Sequence, residues 1–208
     1  MKLFLASSLD KTMPLLFQRI TKPAKEVRVL FIENAADFFT DKWWVTTDRE
    51  AFLGLGCKLV DIDLREISKG DFLQHIANAD ILHMCGGSVV YLLSLIKQKG
   101  FDEIIVSSVR ENKILYTGTS AGSIIVAPSV DLFMYQEKEA NFAKKGMDFT
   151  GLGLVSFLIL PHINNPESVE GKKNMFAHLS EYSRPILLLH DSQAVWVEDD
   201  KFELVSVI

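Results

Sequence analysis

Ile114-Leu115-Tyr116-Thr117-Gly118-Thr119-Ser120-Ala121-Gly122-Ser123-Ile124-Ile125-Val126 runs from an apolar, aromatic stretch through a glycine-serine-glycine turn into a second apolar stretch. A strand over 113–117 and a helix over 121–126, joined by a turn of three residues, make one βα unit. Short β-branched and aromatic runs alternate with amphipathic ones on either side of it. That is the pattern of an α/β fold whose βαβ units wind into a mainly parallel sheet with helices on both faces. Further strands are expected at 2–6, 27–33, 58–63, 81–85, 157–160, 186–189 and 194–197, and 202–207 pairs with the last as an antiparallel hairpin through Glu198-Asp199-Asp200-Lys201. Further helices are expected at 11–19 with Pro14 in the first turn, and at 41–55, 71–77, 89–99, 102–112 and 172–182. The stretch 135–150 is polar and aperiodic, a loop of the length that compact domains keep for function or motion.

The composition suits one globular domain over 1–208, with 48% hydrophobic and 24% charged residues. Lysine and arginine number 22 against 27 acids, a net charge of −5, and no basic cluster forms a stripe, so nucleic acid is not an expected partner. The two cysteines, Cys57 and Cys85, lie far apart in apolar settings. Neither a disulfide framework nor a zinc site has that spacing, and a reducing cytoplasm fits it. Residues 1–6 are too short for the apolar core of a signal peptide, and no run approaches the ~18 apolar residues of a membrane span. A cytoplasmic protein without membrane association is expected.

Open α/β sheets place their sites at the carboxyl ends of strands, where Gly118-Thr119-Ser120-Ala121-Gly122 stands. A serine on so sharp a turn takes a strained backbone that lifts its hydroxyl above the sheet edge, and the flanking glycines let neighbouring backbone approach. The other reading of the turn is a serine helix cap. A nucleophilic serine needs a base. Of the five histidines, His83 lies inside an apolar strand, and His75 and His178 lie on amphipathic stretches. His162, in Pro161-His162-Ile163-Asn164-Asn165, and His190 both end strands, and the polar, proline-fixed loop favours His162. The base in turn needs a carboxylate to hold its tautomer. Asp191 is one candidate, and Asp131, Glu137 and Glu139 compete with it. Two donors for an oxyanion are available in the Ala121 N–H and in the Gly87 N–H of Cys85-Gly86-Gly87-Ser88.

In order, Cys85-Gly86-Gly87-Ser88, Gly118-Thr119-Ser120-Ala121-Gly122, Gly151-Leu152-Gly153-Leu154 and Pro161-His162 resemble the dipeptidase E family of serine peptidases, which includes α-aspartyl dipeptidase and is related to cyanophycinase. The resemblance implies a flavodoxin-like sheet similar to that of class I glutamine amidotransferases, with Ser120 as nucleophile, His162 as base and Gly87 with Ala121 as oxyanion hole. It implies a short peptide as substrate, a homodimer, and no metal or organic cofactor. Family triads place the acid either soon after the nucleophile helix, where Tyr135 falls here, or after the strand beyond the histidine, where Asp191 falls. The family pattern has a further glycine and Asn-Thr where this chain has Ser88-Val89. Its aspartyl-specific members carry an arginine beyond the histidine loop, whereas 164–179 here contains Lys172 and Lys173 and no arginine.

These residues lead to a serine hydrolase that cleaves short peptides through an acyl-enzyme without strict aspartyl specificity. An imidazole base predicts activity that rises across the range in which free imidazole titrates, about pH 5 to 8. The alternatives are an amidase or isopeptidase of cyanophycinase type and a non-enzymatic binding protein on the same fold. Two aromatic clusters, Phe38-Phe39 and Trp43-Trp44, are expected to pack into the core.

Overall fold

The computed structural model describes residues 1–143 and 146–207. The chain runs β1 (Lys2–Ala6), α1 (Leu9–Phe17), β2 (Arg28–Ile32), α2 (Trp43–Gly54), β3 (Lys58–Asp61), α3 (Lys69–Ala77), β4 (Ile81–Met84), α4 (Val89–Lys99), α5 (Asp102–Arg110), β5 (Leu115–Thr119) and α6 (Ala121–Ile124). It continues through α7 (Glu137–Ala140), β6 (Leu158–Leu160), α8 (Pro166–Glu170), α9 (Lys173–Ala177), β7 (Ile186–Leu188), β8 (Gln193–Glu198) and β9 (Lys201–Ser206). The main sheet has the order β3-β2-β4-β5-β1-β8-β9. Its first five strands are parallel, β8 joins β1 antiparallel, and β8 and β9 form the expected hairpin.

Alternation along each central strand fills both faces, because successive side chains point to opposite sides. Leu30, Ile32, Leu82, Met84 and Tyr116 face a core closed by α3, α4, α5 and α6, while Val29, Phe31, Ile81 and Cys85 face α1 and α2. His83 also faces α2, against Phe31 and Phe52.

Four expectations need correction. The strands expected at 157–160 and 186–189 are present as β6 and β7, but among the described residues they pair only with each other, as a separate parallel sheet. The helix expected at 11–19 starts at Leu9, so Pro14 lies inside α1 rather than in its first turn. The helix expected at 172–182 breaks after Ala177, and Leu179–Glu181 forms a 3-10 turn instead. The expected loop 135–150, of which residues 144 and 145 lie outside the described residues, contains α7. Glu139 anchors α7. Its carboxylate is buried, accepts the Ser88 hydroxyl at 2.6 Å and takes the Val89 and Val90 N–H groups at 3.0 and 3.1 Å, which caps α4 with a negative charge.

Candidate active site

Ser120 stands between β5 and α6 with φ 51° and ψ −108°, outside the regions that L-residues ordinarily occupy. Packing holds it there. A side chain on Gly122 would stand 2.1 Å from the Met84 carbonyl oxygen, and one on Gly118 would stand 2.5 Å from the backbone of Gly122, so both glycines are required for α6 to dock this tightly. The Ser120 N–H donates to the Ala6 carbonyl at 3.1 Å, which ties the turn to the end of the neighbouring strand β1.

The histidine and the acid come from the small sheet. Parallel pairing of β6 with β7 sets Leu160 opposite Leu188, and the Leu189 N–H donates to the Leu160 carbonyl at 3.0 Å, so both chains leave the sheet at the same level. His162 Nδ1 then lies 2.6 Å from Asp191 Oδ1. Asn164 braces the pair by accepting the Asp191 N–H at 2.9 Å through its side-chain oxygen. The hydrogen bond with His162, its largest cause, holds the Asp191 carboxyl down at about 2, with Ser7 and Lys11 adding to the effect and burial opposing it.

Ser7 was not legible as a site residue. Fully buried just beyond β1, its hydroxyl accepts the His162 N–H at 2.9 Å and donates to Asp191 Oδ1 at 3.0 Å. The His162 backbone sits at φ 62°, a left-handed conformation that a non-glycine residue keeps only when its surroundings fix it.

Ser120, His162 and Asp191 all line one cavity of about 530 Å³, together with Ser7, Gly86 and Gly87. Among the described residues no hydrogen bond joins Ser120 to His162. Gly87 has φ 149°, and a side chain there would collide with the Ala35 carbonyl oxygen at 2.1 Å. The other expected acids lie elsewhere: Asp131 is exposed, Glu139 is committed to α4, and Glu137 does not line the cavity. His190 is exposed outside the cavity as well.

The aromatic clusters split: Phe39 and Trp44 pack against the core as expected, whereas Phe38 and Trp43 do not. Phe38 and Trp43 are 66% and 63% exposed, and Phe39, Trp43 and Trp44 line the cavity, where Trp44 Nε1 donates to the Gly86 carbonyl at 2.9 Å. Lys172 also differs from a solvated helix start, being buried, with its ammonium on the Ser168 hydroxyl and carbonyl. Burial, joined by repulsion from Lys138, pulls that ammonium down to about 8 against an opposing pull from Asp191. Lys173 is exposed and pairs with Glu170.

Residues 3–205 match Peptidase family S51. The chain belongs to this family. An uncharacterized peptidase of Pasteurella multocida (strain Pm70) is 29% identical to this S51 peptidase over 199 residues, covering 96% of this chain and 94% of its own. A peptidase E of Streptomyces coelicolor is 31% identical over 147 residues, 67% of this chain and 58% of its own. Among solved structures, a candidate peptidase E from Listeria monocytogenes EGD-e superposes with a TM-score of 0.88 at 25% identity, covering 100% of this chain and 98% of that one. The mostly parallel sheet with its carboxyl-terminal antiparallel pair is thus the peptidase E fold. Among the described residues no helix is long and apolar enough to cross a membrane.

Proposed function

We propose that this S51 peptidase is a serine hydrolase that cleaves short peptides through an acyl-enzyme. The observation that carries the reading is the strained Ser120 turn opening into the same cavity as a histidine whose Nδ1 is held by a carboxylate. Ser120 Oγ attacks the scissile carbonyl, and His162 takes its proton through Nε2 and returns it to the leaving amine. Asp191 accepts the Nδ1–H, fixes that tautomer and stabilises the imidazolium. The Gly87 and Ala121 N–H groups serve the oxyanion. Water then hydrolyses the ester with His162 again as base.

The cavity has the volume of small-ligand sites, which favours short peptides. Asp10 and Asp41 line it and suit a free amino group, Phe39 and Trp44 offer an apolar wall, and Lys138 offers a cation. Among the described residues no arginine lines it, and a lysine binds a carboxylate as a hydrated point charge rather than through a bidentate fork. Peptides beginning with aspartate are therefore not preferred tenfold, about 1.4 kcal/mol, over matched neutral ones. The test is kcat/KM for Asp-Leu, Asn-Leu and Ala-Leu with the parent and with Ser120→Ala. Hydrolysis lost in the variant and a less than tenfold spread in the parent support the reading. Turnover unchanged in Ser120→Ala overturns the mechanism, and a larger aspartyl preference overturns the specificity.

A further inference from the structure

On the sheet face covered by α2, immediately beneath the cavity, three groups with metal-ligating chemistry converge. Asp48 of α2, His83 of β4 and Cys85 just past β4 each offer an atom, and these atoms all lie within 4.8 Å of one another. Their residues are 2%, 0% and 0% exposed. Asp48 Oδ2 is 3.3 Å from His83 Nε2, and among the described residues the Asp48 side chain has no other hydrogen bond or ion pair. The neighbouring Arg49 turns away to Glu33 and Asp61. One imidazole is slight compensation for a carboxylate on a residue this little exposed.

A second observation lies on the same sheet face. Among the described residues, Thr119 Oγ1 is buried without a hydrogen-bond partner. Thr119 follows Thr117 on one face of β5, and Thr117 Oγ1 is itself 2.9 Å from His83 Nδ1. Asp48 and Thr119 both reach the cavity lining, so an ion has a route in.

We propose that Asp48, His83 and Cys85 form a binding site for a divalent cation of the zinc type, with the Thr119 hydroxyl as a neutral fourth donor. Three atoms no more than 4.8 Å apart share a point about 2.8 Å or less from each, so shifts of about half an ångström reach the ~2.0–2.3 Å bonds of zinc to oxygen, nitrogen and sulfur. Mixed sulfur and imidazole ligation selects zinc-like ions over magnesium and calcium. One carboxylate and one thiolate neutralise a dication. The contact between Thr117 and Nδ1 orients the ring with Nε2 toward the ion, in the way that outer partners commonly fix a ligating histidine. On binding, the Cys85 S–H bond breaks, the proton passes to solvent and a sulfur–metal bond forms, with no change of oxidation state. The ion would pin α2 to the strand that leads into Gly86-Gly87, a link already made from above by Trp44.

Chelator-stripped full-length protein titrated with Zn²⁺, and separately with Co²⁺, tests this without reference to peptide turnover, so the outcome is independent of the Ser120 mechanism. The expected result is one equivalent of Zn²⁺ by calorimetry, a rise in Tm, and a thiolate-to-cobalt charge-transfer band. Cys85→Ala should lose the band and weaken Zn²⁺ by about tenfold or more, while Cys57→Ala, whose cysteine is outside the cluster, keeps both. Folded parent protein that binds no stoichiometric Zn²⁺, or whose cobalt complex lacks the thiolate band, overturns the proposal even if Cys85→Ala does not fold. A band that survives Cys85→Ala does the same.

Discussion

Ser7→Ala separates a positioned histidine from one that is merely near. The Ser7 hydroxyl is buried, accepts the His162 N–H at 2.9 Å and donates to Asp191 Oδ1 at 3.0 Å. Its removal deletes both bonds and leaves the His162 N–H unpaired where the backbone already stands at φ 62°. An orphaned buried donor costs about 1–3 kcal/mol, and a lost hydrogen bond to a charged acceptor costs about 1.5–3 kcal/mol. These losses fall on one loop and overlap, so about 1.4–2.7 kcal/mol of misplacement is the expected catalytic share. At about 1.36 kcal/mol per decade this lowers kcat/KM about 10–100-fold. The loss falls on the placement of the base and its acid, so it should appear in kcat, with KM within about twofold. Any part absorbed as stability lowers Tm by about 2–4 °C per kcal/mol in a chain of this size. Steady-state kinetics on the preferred dipeptide, with thermal unfolding of both proteins, reads the two shares. A kcat/KM within twofold of the parent at unchanged Tm would refute the argument that Ser7 positions the pair.

Asp191 titrates well below the ~3.9 of a free aspartate, at about 2. The stability it contributes is therefore present above about pH 4 and lost as pH falls through about 2, and Asp191→Asn should flatten unfolding free energy against pH in that window. An unchanged slope in acid denaturant titrations contradicts this. Glu139→Ala strands three donors at the start of α4, two N–H groups and the Ser88 hydroxyl, and should cost about 2 kcal/mol or more, seen as a Tm lower by about 4–8 °C. Gly122→Ala places a methyl 2.1 Å from the Met84 carbonyl oxygen and should abolish both the folded yield and serine reactivity, whereas a well-folded, reactive variant would show that the turn can relax.

What could be read in the sequence was local. The Ile114–Val126 segment carries its strand, turn and helix in consecutive residues, and Pro161-His162 and Asp191 each follow an apolar run, so their places at strand ends were available from pattern alone. The expectation that Asp191 could face His162 across neighbouring strand ends matches the 2.6 Å contact. The missed features depend on strand order. Ser7 reaches the site because β1 lies between β5 and β8, and a serine after a short strand has no local signature of that position. Asp48, His83 and Cys85 meet only because α2 lies over β4, and the separation of 35 positions between Asp48 and His83 hides the cluster from any spacing rule. The runs at 157–160 and 186–189 have the apolar content of central strands, so nothing in them announced a separate sheet. Phe38 and Trp43 were expected in the core on hydrophobicity, yet they are exposed, Trp43 at the cavity rim, where an apolar substrate wall would use it.

An activated Ser120 is read directly by a serine-directed fluorophosphonate. Stoichiometric labelling of the full-length protein is expected, mapped by peptide mass to Ser120, lost in Ser120→Ala and strongly slowed in His162→Ala. No labelling of folded parent protein, or labelling at another serine, would contradict it.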